Sequence, residues 1–217
     1  LKFNGFFTIQ GSSKDTLKTI LAEYSSEGDI RGYASYDAKK TILKKEKLNL
    51  DQLMSKGHLA FSAIESKSNK RYQGIIPVQE GNFSNSIDYY FKNSEQINSE
   101  IICLSDFSDN NYISAAILIQ CTPEENNSFN NDYDVFEEAK LFLNSIKKTE
   151  LLSRNISIED LLYKLFHSLD VRVFEEIKVR DKCRCSLERV KNTLSSISES
   201  ELSDIKLSDG SLDIKCE

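Results

Sequence analysis

The sequence has no hydrophobic run long enough to cross a membrane. Its longest, "YISAAILIQC" at 112–121, is about half of the ~20 residues a spanning helix needs. No signal-peptide pattern opens it. It lacks an excess of positive charge: 28 Lys plus Arg against 34 Asp plus Glu leave a net charge of -6. That balance argues against a nucleic-acid duplex or an anionic bilayer as the main partner. Gly-x-Gly-x-x-Gly, the phosphate loop and Gly-x-Ser-x-Gly are all missing, and Ser94 in "KNSEQ" has no histidine near it. No enzyme of those classes is indicated, and no catalytic residue is assigned. Histidine is limited to His58 and His167, which read as ordinary strand and surface residues. Cysteine is sparse and odd in number, five in all, without the even spacing of a secreted disulfide framework. A reducing cytoplasm is therefore the expected compartment.

What is present describes a soluble globular chain. Its 217 residues, 39% hydrophobic and 29% charged, suffice for one substantial core plus small appendages. The chain opens on Leu and stops at "IKCE", which reads as a piece of a longer protein. An α+β fold is expected, with a hairpin-rich sheet domain over 1–123, a helical linker over 124–179 and a small C-terminal module over 180–217. "LKFNGFFTIQ" alternates as a strand does; "HLAFSAIES" and "RYQGIIPVQ" flank "KSNK" as a hairpin, and "EIICLSDF" and "YISAAILIQ" flank "SDNN" as another. One helix interrupts them, capped by Ser84 or Asn85, with Ile87, Tyr90 and Phe91 on one face. In "TLKTILAEYSSEGDIRGYASYD" the residues Leu17, Ile20, Leu21 and Tyr24 fit a helix, whereas "IRGYASY" fits a strand. The first half stays open.

After Pro123 the Asn-rich "EENNSFNNDYD" marks a boundary. In "SIEDLLYKLFHSL" Ser157 and Asp160 make a capping-box-like start, and Leu161, Leu162, Leu165, Phe166 and Leu169 line one face. The tail then reads as a short strand "VRVFEEIKV", a cysteine pair, a helix begun by Ser186, a second begun by Ser198 with Glu201, and a turn at Asp209-Gly210.

The cysteines divide by their neighbours. Cys103 and Cys121 lie in apolar strand-like runs and read as small core hydrophobes. Cys183, Cys185 and Cys216 sit among Asp181, Lys182, Arg184, Lys215 and Glu217, which cannot bury them. The segment from Arg180 onward has few apolar residues, and a domain below roughly 40 residues needs a staple of some kind. Spacing leaves a disulfide and a zinc site both open. Energy favours zinc: a bridge closing three residues contributes about 1.5 kcal/mol, a structural zinc about 10–16 kcal/mol. Zinc takes four ligands, so a fourth is expected from a cysteine further along the parent chain.

This tail resembles a known signature. Cys183-Arg184-Cys185-Ser186, with Glu188-Arg189 in the following helix and Cys216-Glu217 opening a second knuckle, is similar to the zinc end of the redox-regulated bacterial heat-shock chaperones, the 33 kDa chaperonin family. "IRGYASY" at 30–36, "RYQGIIPV" at 71–78, "YYFKNSEQINSEI" at 89–101 and "ILIQCTP" at 117–123 look like further family motifs in the family's order. The chain departs from the pattern at Ala115 and Ala116, where the family usually has two glycines. An opening family segment and the last family cysteine are not in the sequence.

The resemblance implies an ATP-independent holdase that protects unfolded proteins under heat and oxidative stress. One Zn2+ would be held by Cys183, Cys185, Cys216 and a fourth cysteine in the reduced form. Oxidation would make Cys183 and Cys185 a redox-active disulfide, unfold the module and loosen the linker. Leu161, Leu165, Phe166 and Leu169 would then meet clients, and the activated form would be a homodimer. Two rivals remain at this point. One is a zinc-ribbon nucleic-acid binder using Arg180, Lys182, Arg184, Arg189 and Lys191, although Glu199 to Asp213 offset that charge. The other is a thiol oxidoreductase, which more often uses Cys-x-x-Cys at a helix start.

Overall fold

The computed structural model describes residues 4–39, 49–68, 70–108, 110–121, 129–207 and 209–214. Strands β1 (Gly5–Ser12), β2 (Leu17–Ser25), β3 (Asp29–Tyr36), β4 (His58–Glu65) and β5 (Arg71–Pro77) form an antiparallel sheet in the order β5-β4-β1-β2-β3. The two-residue β8 (Arg180–Asp181) joins its far edge in parallel to β3. Among the described residues, β6 (Ser99–Ser108) and β7 (Asn111–Gln120) pair only with each other. The helices are α1 (Leu50–Leu53), α2 (Phe83–Tyr90), α3 (Phe129–Asn144), α4 (Lys148–Leu151), α5 (Ile158–Phe166), α6 (Leu187–Ser195) and α7 (Glu199–Ile205). The architecture is α+β, as expected from the sequence.

β2 resolves the ambiguous stretch in favour of a strand. Leu17, Ile20, Leu21 and Tyr24 satisfy a helical period too, but β1 pairs with one side of the segment and β3 with the other. Two partner strands satisfy backbone groups on both edges and half-bury its β-branched and aromatic side chains, which local helical spacing cannot match.

Two cores lie on either side of the β6–β7 hairpin. In the first, Ile87 and Tyr90 of α2 press on Leu59, Phe61 and Ile76 of the sheet, with Ile101 and Cys103 packed against them. The Tyr90 ring stacks on Phe61 at 3.9 Å between centroids. Gly74 makes this possible, since a Cβ there would stand 2.6 Å from the Tyr90 ring. The cap of α2 is Asn82, slightly ahead of the expected Ser84 or Asn85; its side chain accepts from the Asn85 backbone. Beyond Tyr90 the helix widens into a π turn over Phe91–Glu95 and ends at Gln96 in the left-handed region.

In the second core, Ile102, Ile117 and Ile119 of the hairpin meet Leu143 of α3 and Leu165 and Phe166 of α5. Strand alternation explains the arrangement: neighbouring residues of β6 point to opposite faces, so Ile101 serves one core and Ile102 the other. Ser157 caps α5 by accepting from the Asp160 amide at 3.0 Å, as expected. The Asn-rich stretch at 124–134 begins outside the described residues, and its end is helical from Phe129.

The expected strand at 171–179 is not formed. Only Arg180 and Asp181 pair with the sheet, and Val173, Phe174, Ile177 and Val179 remain exposed. β-branched and aromatic content alone does not make a strand without a partner edge along its length.

Candidate functional site

The tail reaches the sheet through backbone pairing. The Arg180 amide donates to the Gly28 carbonyl at 2.9 Å and the Lys182 amide to the Ile30 carbonyl at 3.1 Å. Gly28 is required here twice over. Its φ of +84° is the left-handed region, and a Cβ on it would stand 2.8 Å from the Lys178 carbonyl oxygen.

Two acids of the sheet then hold the basic residues of the tail. Asp29 bonds the Arg180 side chain and takes Lys182 Nζ at 3.1 Å. Its carboxyl is held below the usual range, chiefly by the Arg180 hydrogen bond. Glu23, its side chain 8% exposed, accepts Arg184 Nη2 at 2.6 Å and faces Arg31 Nε at 3.8 Å. The Arg184 guanidinium also lies 3.9 Å over the Phe6 ring, a cation–π contact. Burial pushes Arg184 below the ordinary guanidinium range, against the pull of Glu23, and its Nε is buried with no hydrogen-bond partner among the described residues.

The cysteine pair follows directly. Cys183 and Cys185 are both exposed. Arg31 Nη1 donates to the Cys183 sulfur at 3.6 Å, and the Cys185 amide donates to it at 3.3 Å. Ser186 caps α6 by accepting from the Arg189 amide at 3.2 Å. A cavity of about 320 Å³ beside the pair is lined by Arg31, Arg184, Cys185, Arg189, Val190 and Leu194, among others. Cys216 lies outside the described residues. Among the described residues, no group of three or more His, Cys, Asp or Glu is placed to hold a metal ion. The pair itself suits a thiolate-bound cation: two sulfurs one residue apart, with N–H donors aimed at one of them, complement negative charge on sulfur.

The apolar stripe expected to meet clients is covered in this conformation. Leu165 and Phe166 are each 8% exposed, and Leu161 and Leu169 pack beside them. Between this clamp and the docked pair runs the exposed segment with Val173, Phe174 and Ile177. His58 and His167 are exposed and stand apart from the pair, on β4 and just after α5. Cys103 packs on the first core. Sequence reasoning identified the cysteines but not Glu23, Asp29 or Arg31. It offered Arg180, Lys182 and Arg184 only as the basic residues of a rival nucleic-acid binder, whereas all three are engaged by sheet acids. The local signal was weak: Glu23 and Asp29 stand on either side of the Gly28 turn in strands that also carry Lys18 and Arg31.

Comparison with known proteins places this architecture among heat-shock chaperones. The chain belongs to the Hsp33 family: the Hsp33 protein family model matches residues 1–217. Its relatives include the 33 kDa chaperonin of Vibrio vulnificus strain YJ016, 30% identical over 217 residues, covering 100% of this chain and 71% of that protein. The 33 kDa chaperonin of Pseudoalteromonas atlantica is 27% identical over the same span, again 71% of that protein. The crystal structure of the 33 kDa chaperonin from Thermotoga maritima superimposes with a TM-score of 0.74 at 20% identity, covering 94% of this chain and 69% of that one. That likeness shows the fold. Membership of the family makes this a chaperone, a protein that binds unfolded clients. Among the described residues, no helix is long and apolar enough to cross a membrane.

Proposed function

We propose that the protein is an ATP-independent cytoplasmic holdase, without catalytic residues, that is switched on by oxidation of zinc-bound cysteines. Cys183, Cys185 and Cys216 would hold the ion together with a further cysteine of the parent chain, and the ion would supply the cross-linking that folds the module at 180–217. When two thiolates are oxidised by peroxide, a sulfur–sulfur bond forms and two electrons pass to the oxidant; with two protons, one peroxide leaves as two waters. Short-range bridges contribute about 1.5 kcal/mol each, far less than a structural zinc, so the oxidised module loses most of what folds it. Its hold on β3 and Glu23 weakens, the linker at 124–179 loosens, and Leu161, Leu165, Phe166 and Leu169 become available to clients. The activated protein acts as a homodimer.

One observation carries this reading: the sulfur of Cys183 sits on Arg31 where the strand pairing of the tail ends, so thiol chemistry occurs at the edge that holds the tail down. Engagement of Arg180, Lys182 and Arg184 by Asp29 and Glu23 weighs against a nucleic-acid surface. The test is aggregation of a heat-unfolded client, followed by light scattering with the full-length protein reduced and then peroxide-treated, with zinc per chain measured alongside. Suppression only after oxidation, with near one zinc released, is expected. Equal suppression in both states sinks the switch, as does a triple Ser replacement at Cys183, Cys185 and Cys216 that leaves regulation unchanged.

A further inference from the structure

The cations around the cysteine pair outnumber the anions. Arg31 comes from the sheet, Arg184 from the pair itself and Arg189 from α6, and all three line one cavity with Cys185. No acidic side chain lines that cavity among the described residues. Among the described residues, Glu23 answers two of the guanidiniums, Arg184 and Arg31. Arg189 turns its Nη1 to the Arg184 backbone carbonyl at 3.3 Å, a neutral acceptor. Among the described contacts of this cluster, three guanidiniums thus stand to one carboxylate.

A protein does not gather three guanidiniums against one carboxylate without a reason, because like charges at close range repel and partial burial strengthens the repulsion. The group that matches the excess is the cysteine centre. A divalent ion on four thiolates carries a formal charge of about −2. Arg31 already donates to the Cys183 sulfur.

We propose that Arg31, Arg184 and Arg189 form a cationic seat that is balanced only while the cysteines are thiolates, so that their conversion to neutral disulfides itself drives the tail off the sheet edge. The proposal rests on the redox reading above and deepens it. That reading attributes release to lost folding of the module; the seat adds a repulsion that appears when the sulfurs lose charge. Arg31 is then a positioning residue, contributed by β3, through which the sheet senses the oxidation state of the tail. Asp29 with Arg180 and Lys182 is indifferent to that state and serves as the constant part of the attachment.

The experiment uses the full-length protein with Arg31→Gln, Arg31→Lys and Arg189→Gln. Two quantities are read: the rate at which reduced protein yields zinc to a chelator, and hydrogen exchange at the Arg180 and Lys182 amides, which report docking. In the reduced state Arg31→Gln should give up zinc about tenfold faster, and Arg31→Lys should return to within about twofold of wild type, since charge is what the thiolates need. In the oxidised state wild type should exchange those amides about a hundredfold faster than when reduced. Arg31→Gln and Arg189→Gln should each narrow that ratio severalfold, because one repelling charge is gone. If zinc binds and leaves on oxidation as expected but neither quantity responds to the arginines, the seat is wrong and the redox reading stands. A wild type with no zinc and no oxidation-dependent exchange overturns both.

Discussion

Arg184 and Glu23, 161 positions apart in the chain, meet at 2.6 Å over the interior strands β1 and β2, with the guanidinium 3.9 Å from the centre of the Phe6 ring. Removing one partner of such a contact leaves the other charge partly buried and uncompensated, which is costlier than losing an exposed pair. Glu23→Gln should weaken docking of the tail by about 2 kcal/mol, a roughly thirtyfold rise in its undocked population. Exchange of the Lys182 amide and protease sensitivity between 167 and 180 would both report it. Unchanged protection at Lys182 would show that this contact does not hold the tail.

The second core sets the resting state of the linker. Leu165 and Phe166 are among its buried members, facing Leu143 and the hairpin isoleucines. Truncation to Ala should destabilise α5 by about 2–5 kcal/mol for Leu165 and about 3–5 kcal/mol for Phe166. Because α5 docks through this stripe, the loss should open it locally and expose the same apolar face to clients. The reduced variants should then suppress client aggregation without oxidant. Variants that lose stability in urea yet stay inactive until oxidised would show that α5 is not the client-facing element.

Much of this arrangement was legible residue by residue. The hairpins at 58–77 and 99–120 announce themselves because alternating apolar runs flank polar turns, and Ser157 and Ser198 with Glu201 cap helices as their spacing suggests. β2 was not decidable, since Leu17, Ile20, Leu21 and Tyr24 obey both periods and only the partner strands settle the matter. The segment 171–179 misled for the converse reason: its side chains suit a strand that has no edge to join. The cysteine pair stood out against its charged neighbours. Its counterparts Arg31, Glu23 and Asp29 did not, because they lie 152, 161 and 151 positions from Cys183, Arg184 and Arg180, and no local pattern encodes such pairings.

Gly28 offers a test of docking that leaves charge untouched. With φ at +84° and the Lys178 carbonyl oxygen 2.8 Å from where a methyl carbon would stand, Gly28→Ala meets both a backbone penalty of about 1 kcal/mol and a clash with the incoming tail. The sheet should fold, while protection of the Arg180 and Lys182 amides should fall. Gly210→Ala is the control, since Gly210 has φ +80° but nothing within 4 Å of the added carbon. It should carry the backbone penalty alone and leave docking intact. Equal effects of the two substitutions on those amides would contradict the close approach at Gly28.

Stability should also depend on pH through Asp88, on α2. Burial first, and the neighbouring Glu100 second, push its carboxyl up to about 6. Its Oδ1 and the nearby Ser99 Oγ are buried without hydrogen-bond partners among the described residues. Lys140 of α3 reaches Glu100 at 3.5 Å, so this carboxyl pair lies where the first core meets the linker helix. A carboxyl raised in the folded state favours folding when protonated. Its contribution is complete below about 4, the unfolded value, and is lost as pH rises through about 6. A shift of about two units corresponds to at most about 3 kcal/mol, and partial exposure reduces this to about 1 kcal/mol. Asp29, held low by Arg180, stays ionised across that window and adds no slope. The reduced protein should therefore melt at a higher temperature at about pH 5.5 than at about pH 7.5. Asp88→Asn, which keeps the shape and cannot ionise, should be more stable than wild type at about pH 7.5, keep most of that advantage at about pH 5.5, and lose it only as pH falls to about 4. Parallel pH profiles for the two proteins would remove Asp88 as the cause.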